Sequence, residues 1–116
     1  PVTGSPGDTL RAFRSGRQVH PLAEPGRCDL TVDVDFSRLS RMAAAAGLAV
    51  SGPISQGPWL GALGIEARMH QLIATNPNAA REIHAGVAEL VEPEKMGQRF
   101  KVICLSSPGL PPPAGY

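Results

Sequence analysis

At 116 residues, with 11 basic and 10 acidic side chains and a net charge of +1, the chain is about one domain long, and its core would be thin, carried by Ala, Leu, Val and Ile rather than by its few aromatic residues. The near-neutral balance gives no case for a nucleic-acid partner, and the distant Cys28 and Cys104, with no grouped histidines, argue against a zinc cluster and a disulfide-stapled scaffold and for a reducing compartment. No apolar run approaches the roughly 18 residues of a membrane span.

The chain opens at Pro1, without Met, in a loop-like stretch over residues 1–8, which reads as a start that is not the native one. Over residues 9–19, Leu10, Phe13 and Val19 interleave with Arg11, Arg14 and Arg17, and Ser15-Gly16 sits at the middle, so the pattern predicts a short hairpin. Its arginines are either a solvated face or a contact for phosphate or carboxylate. Residues 20–26, with two prolines and a glycine, read as a loop.

Residues 29–36 alternate polar and apolar without exception, a strand signature that puts Asp29, Thr31, Asp33 and Asp35 on one face and Leu30, Val32, Val34 and Phe36 against a core. Carboxylates sharing a short face repel unless water, a cation or a donor-rich partner lies before them. That face is a solvated edge, with Asp35 also an N-cap, or a receptor for a planar guanidinium; a divalent cation is a third occupant, without a calcium-type loop to support it.

Phe36, Leu39, Met42, Ala43 and Ala46 then share a helix face, Gly47 is placed to end the helix in the left-handed region, and residues 48–52 form a short strand, so helix, turn and strand predict the second half of a βαβ unit with parallel strands. Ser55 or Gly57 caps a helix with Pro58 in its first turn. Ile65, Met69, Leu72 and Ile73 mark the next helix, with Glu66 and His70 as a solvated pair, and Asn76-Pro77 opens a third that shows Ala80, Ile83, Val87, Leu90 and Val91 to the core. Residues 100–105 are a nearly continuous apolar run, expected as a strand covered on both faces with Cys104 buried in it. The proline-rich tail from Ser107 is expected to lie extended and reads as a native C-terminus.

Alone, these residues supply no phosphate-binding glycine loop, nucleophile elbow or Cys-His pair. The succession Gly7-Asp8-Thr9-Leu10, Pro21-Leu22, Pro25-Gly26, Asp29-Leu30-Thr31, Val34-Asp35-Phe36, Gly52-Pro53, Gln56-Gly57, Leu63-Gly64-Ile65-Glu66, Arg68, Met96-Gly97, Phe100-Lys101-Val102 and Pro108-Gly109-Leu110-Pro111 resembles the C-terminal part of the MidA-like family. These are S-adenosylmethionine-dependent methyltransferases related to the mitochondrial complex I assembly-factor methyltransferase.

The resemblance implies an α/β fold: the C-terminal portion of a Rossmann-like class I methyltransferase, one domain with a hairpin and loop at 1–27, strand-helix-strand at 28–54, a helical insertion at 55–92, a final antiparallel strand at 98–106 and the tail at 107–116. It implies that S-adenosylmethionine is bound mainly by an N-terminal half that precedes Pro1, so that this stretch alone is inactive and binds no cofactor. It further implies methylation of arginine on a protein substrate, with a respiratory complex I subunit as candidate, in the bacterial cytoplasm or, alternatively, the mitochondrial matrix. Family members tend to carry histidine where this chain has Gly16, and histidine or aspartate where it has Asp33. Laid over that resemblance, the acidic face becomes the substrate-side wall, with Asp29, Thr31, Asp33 and Asp35 and Gln56 as a polar neighbour; no metal site and no catalytic residue is assigned. The rival is a non-enzymatic interaction module using the Arg-bearing hairpin and the proline-rich tail.

Overall fold

The computed structural model describes residues 9–116; the loop expected over 1–8, and Gly7-Asp8 with it, lies outside them. The chain divides into two compact units, Pro1–Asp35 and Phe36–Tyr116. Its class is α/β, with one small sheet of three strands and one of two among the described residues.

In the first unit, β1 (Arg11–Arg14) and β2 (Arg17–Val19) pair antiparallel with Arg14 opposite Arg17. Ser15 and Gly16 are left as a two-residue loop with φ of 48° and 74°. Positive φ at both positions gives the turn whose twist suits a hairpin, and Gly16 adopts it without a Cβ penalty. β3 (Asp29–Thr31) joins the other edge of β1, with Phe13 opposite Asp29 and Arg11 opposite Thr31, giving the order β2-β1-β3.

The strand expected over 29–36 is thus shorter, because β1 begins at Arg11 and no other strand among the described residues pairs with positions beyond Thr31. Residues 32–35 are irregular. Leu30, Val32 and Val34, expected in a core, are 61%, 62% and 60% exposed. A period-2 pattern chooses a face, but it cannot supply the neighbouring strand that makes the pattern a sheet.

In the second unit, α1 (Phe36–Ala45) ends as its glycine predicts: Gly47 sits at φ 81°, its N–H bonds Ala44 O at 3.0 Å and the Leu48 N–H bonds Ala43 O at 3.0 Å. These two bonds satisfy carbonyls the helix would otherwise leave open. Ala43 is buried, Phe36 and Leu39 are half-buried, but Met42, expected on the same face, is open to solvent.

β4 (Ala49–Ser55) pairs antiparallel with β5 (Lys101–Ser106), Ala49 opposite Ser106 and Ser55 opposite Lys101. The register shifts between Ser51 and Ile54, where Gly52 has φ 89° and the Gly52-Pro53 peptide is cis. The expected βαβ unit with parallel strands does not form: β3 and β4 lie in different sheets, and the partner of β4 is the antiparallel final strand. The helices between β4 and β5 return the chain along β4, and the Gln56 N–H to Phe100 O bond of 3.0 Å extends that ladder by one step.

Those helices are α2 (Gln56–Ala62), α3 (Ile65–Thr75) and α4 (Ala80–Val91). Gly64 at φ 84° turns the chain between the first two, and a wide turn over Pro93–Gly97 follows the last. Among the described residues the buried apolar side chains are Ala12 and Ala43 alone, and no large side chain is fully buried. β5 is not covered on both faces: Phe100 and Leu105 are 45% and 38% exposed, and Cys104 is half-buried rather than buried. The tail does not stay extended either. The Tyr116 N–H bonds Pro113 O at 3.2 Å, and a Cβ on Gly115 or Gly52 would lie 2.6 Å from the Trp59 ring or 2.8 Å from the Tyr116 ring.

Candidate functional site

The acidic segment starts on β3 and runs into the irregular residues that follow it. Asp29 and Thr31 are exposed on the strand, and Asp33 and Asp35 are exposed beyond its end. Asp33 is gripped by a guanidinium from within the chain: Arg11 Nη1 donates to one carboxylate oxygen at 2.8 Å and Nη2 to the other at 3.1 Å. This is the fork-to-fork geometry that arginine and carboxylate adopt because their donor and acceptor spacings match. The hydrogen bond first, and the Asp33 charge second, push the Arg11 pKa above its usual value, so this cation stays charged at any physiological pH.

The hairpin carries a second such pair. Arg14 Nη1 donates to Glu24 Oε1 in the following loop, and the Cys28 thiol bonds Glu24 O at 3.2 Å. Glu24 Oε2 is buried without a hydrogen-bond partner among the described residues.

Gln56, the fifth residue assigned to the wall, belongs to the other compact unit. Its Nε2 donates to Leu90 O at 2.9 Å, satisfying one of the carbonyls left open at the end of α4. It acts there as a helix cap. Also in that unit, a cleft of about 370 Å³ between α2, α3 and α4 has Ile65, Met69, Val87 and Val91 among its lining residues, together with Glu66 and His84. Sequence reasoning paired Glu66 with His70 and passed over His84. No group of His, Cys, Asp and Glu among the described residues could hold a metal ion.

The sequence pattern assigns Arg11 to the hairpin and Asp33 to a separate strand, and nothing local to either residue pairs the two. Trp59 Nε1 and Tyr116 Oη are buried without hydrogen-bond partners among the described residues. Burial raises the Tyr116 pKa, with the charge of Cys104 adding to it.

A model of a protein family described as "Putative S-adenosyl-L-methionine-dependent methyltransferase" matches residues 2–54. The mitochondrial protein arginine methyltransferase NDUFAF7 of Mus musculus is 43% identical over 105 residues, covering 88% of this chain and 24% of that protein. That of Danio rerio is 42% identical over 100 residues, covering 84% and 23%. The chain resembles this methyltransferase family over these stretches. It spans about a quarter of the length of these curated relatives. A crystal structure from Burkholderia thailandensis, bound to S-adenosyl-homocysteine, superposes with a TM-score of 0.80 and 25% identity over 92% of this chain and 28% of that one.

One junction of strand and helix has the form a cofactor-binding turn would take. β4 runs directly into α2 with Gly57 at the junction, as a phosphate- or nucleoside-binding turn would. A Cβ on Gly57, however, would lie 2.5 Å from Val91 O. This glycine lets α2 approach the end of α4, and it leaves no room for a ligand against the backbone.

Proposed function

We propose that the chain is the C-terminal part of an S-adenosylmethionine-dependent methyltransferase acting on arginine of a protein substrate, in which these residues build the substrate side and the remainder of the polypeptide holds the cofactor. The resemblance to the family supports the reaction class, and the arginine methyltransferase names of the curated relatives support the acceptor. A respiratory complex I subunit is the candidate substrate through the family resemblance. The mitochondrial names of those relatives favour the mitochondrion over the bacterial cytoplasm.

The observation that supports the acceptor assignment is the bidentate grip of Arg11 on Asp33, which displays in this segment the geometry in which a carboxylate holds a guanidinium, with Asp29 exposed beside it on β3. Carboxylates beside a guanidinium draw its charge toward themselves and orient the nitrogen that faces the methyl donor. Asp29, Thr31, Asp33 and Asp35 form this wall in our reading, and Gln56 is left with its role as the cap on Leu90 O. The open Leu30, Val32 and Val34 are apolar surface that the remainder of the polypeptide would cover. Arg11 and Arg14 are both engaged with carboxylates and the tail folds back on Gly52, which weighs against an interaction module built on a bare hairpin and a free tail.

The test is the Asp29→Asn, Asp33→Asn double variant of the full-length protein. Losing charge-assisted hydrogen bonds should cut methylation of its protein substrate by roughly tenfold or more while S-adenosylhomocysteine binding is retained. Unchanged methylation would show that the wall lies elsewhere.

A further inference from the structure

We infer that residues 113–116 form a strap over the junction of β4 and α2, one that opens and closes while the rest of the second unit stays folded. Two aromatic rings seat it against two glycines. A Cβ on Gly52 would lie 2.8 Å from Tyr116 Cε1, and one on Gly115 would lie 2.6 Å from Trp59 Cδ1 and 2.7 Å from Trp59 Nε1. Each ring therefore rests where a side chain would otherwise stand, and both glycines have φ of 89°, a backbone setting that glycine adopts without cost. Residues 107–112, which lead to the strap from β5, are exposed, whereas Pro113, Gly115 and Tyr116 are half-buried.

Packing holds the strap, and hydrogen bonds do not. Its backbone bond is internal, from Tyr116 N–H to Pro113 O at 3.2 Å, and none among the described residues joins residues 107–116 to β4 or α2. Closure also takes two polar groups out of water without pairing them: Trp59 Nε1, against Gly115, and Tyr116 Oη are buried with no hydrogen-bond partner among the described residues. A polar atom buried unpaired forfeits its hydration, which native folds rarely accept. The gain from seating two rings is thus set against two lost hydrogen bonds to water, and the closed and open strap lie close in free energy. The β4–β5 ladder is backbone-paired along its length and carries no such penalty. A segment with few ties opens ahead of the elements beneath it, and opening here uncovers Trp59 together with Leu63, whose Cγ lies 3.5 Å from the same Gly115 Cβ position.

Hydrogen exchange of the Trp59 indole N–H in the full-length protein, followed by NMR and assigned by its loss in Trp59→Phe, reads the strap, and amides of the β4–β5 ladder read unfolding of the unit. In the wild type the indole should be protected at least roughly tenfold less than the slowest ladder amides. Gly115→Ala, whose Cβ meets side-chain atoms of Trp59 and Leu63, should speed indole exchange roughly tenfold and leave the ladder amides within about twofold. Tyr116→Phe removes the unpaired hydroxyl and keeps the ring, so it should slow indole exchange roughly tenfold. An indole protected as strongly as the slowest ladder amides in the wild type would overturn the inference, since strap and unit would then open as one. So would a Tyr116→Phe protein whose indole exchanges as fast as in the wild type or faster, or a Gly115→Ala protein whose ladder amides lose protection together with the indole.

Discussion

Gly57→Ala tests how the second unit is held together. Gly57 is buried in the first turn of α2, and a Cβ there would sit 2.5 Å from Val91 O and 3.4 Å from Gly97 Cα and O. To reach an ordinary contact of 3.4 Å, the carbonyl at the end of α4 must retreat by about 0.9 Å. It cannot do so freely, since the neighbouring Leu90 carbonyl is bonded to Gln56 Nε2 at 2.9 Å and the wide turn follows at once. Overpacking of this kind costs about 2 kcal/mol, which for a unit of this size lowers the Tm by roughly 8–16 °C. Trp59, the single tryptophan, lies in α2 and reports the transition by fluorescence. Gly61→Ala is the internal control: it lies in the same helix with nothing near its Cβ, and it should stabilise by about 0.5–1 kcal/mol through helix propensity. A Gly57→Ala protein as stable as wild type would refute the claim that α2 and α4 meet through this glycine.

Gln56→Ala removes the cap on Leu90 O and should cost about 0.5–1.5 kcal/mol in urea unfolding, and Gln56→Glu, whose carboxylate cannot donate, should cost at least as much. Tyr116, the single tyrosine, should ionise above the usual 10.0, because burial and then the Cys104 charge oppose the phenolate. Its contribution to stability is whole below pH 10 and is lost as the pH rises through its raised value, and phenolate absorbance of wild type against Tyr116→Phe reads both. Val32→Ser with Val34→Ser should leave the stability of these 116 residues within about 0.5 kcal/mol, because both side chains are open here. The same change in the full-length protein should cost about 1.5–3 kcal/mol per side chain if that face is covered there, and equal small effects in both would argue that it is not.

Features decided by local chemistry were legible from the sequence. The turn at Ser15-Gly16, the Gly47 cap and the end of α3 at Asn76-Pro77 each depend on residues within a few positions. The length of β3 was not legible, because alternation over 29–36 states a preference for a sheet while the partner strand for 32–35 is not in β1. The pairing of β4 with β5 joins segments on either side of three helices, and helix-Gly-strand is equally compatible with a parallel or an antiparallel neighbour. At the candidate site the acidic residues were legible by period, yet the guanidinium on Asp33 comes from 22 positions away. The role of Gln56 is set by a carbonyl 34 positions away, and nothing in its local sequence names it as a cap.

Calorimetric titration with S-adenosylhomocysteine tests most directly the proposal that the cofactor is held outside residues 1–116. The full-length protein should bind with a single saturable heat, and residues 1–116 alone should give none. Binding by residues 1–116 alone, or its absence in the full-length protein, would contradict the account.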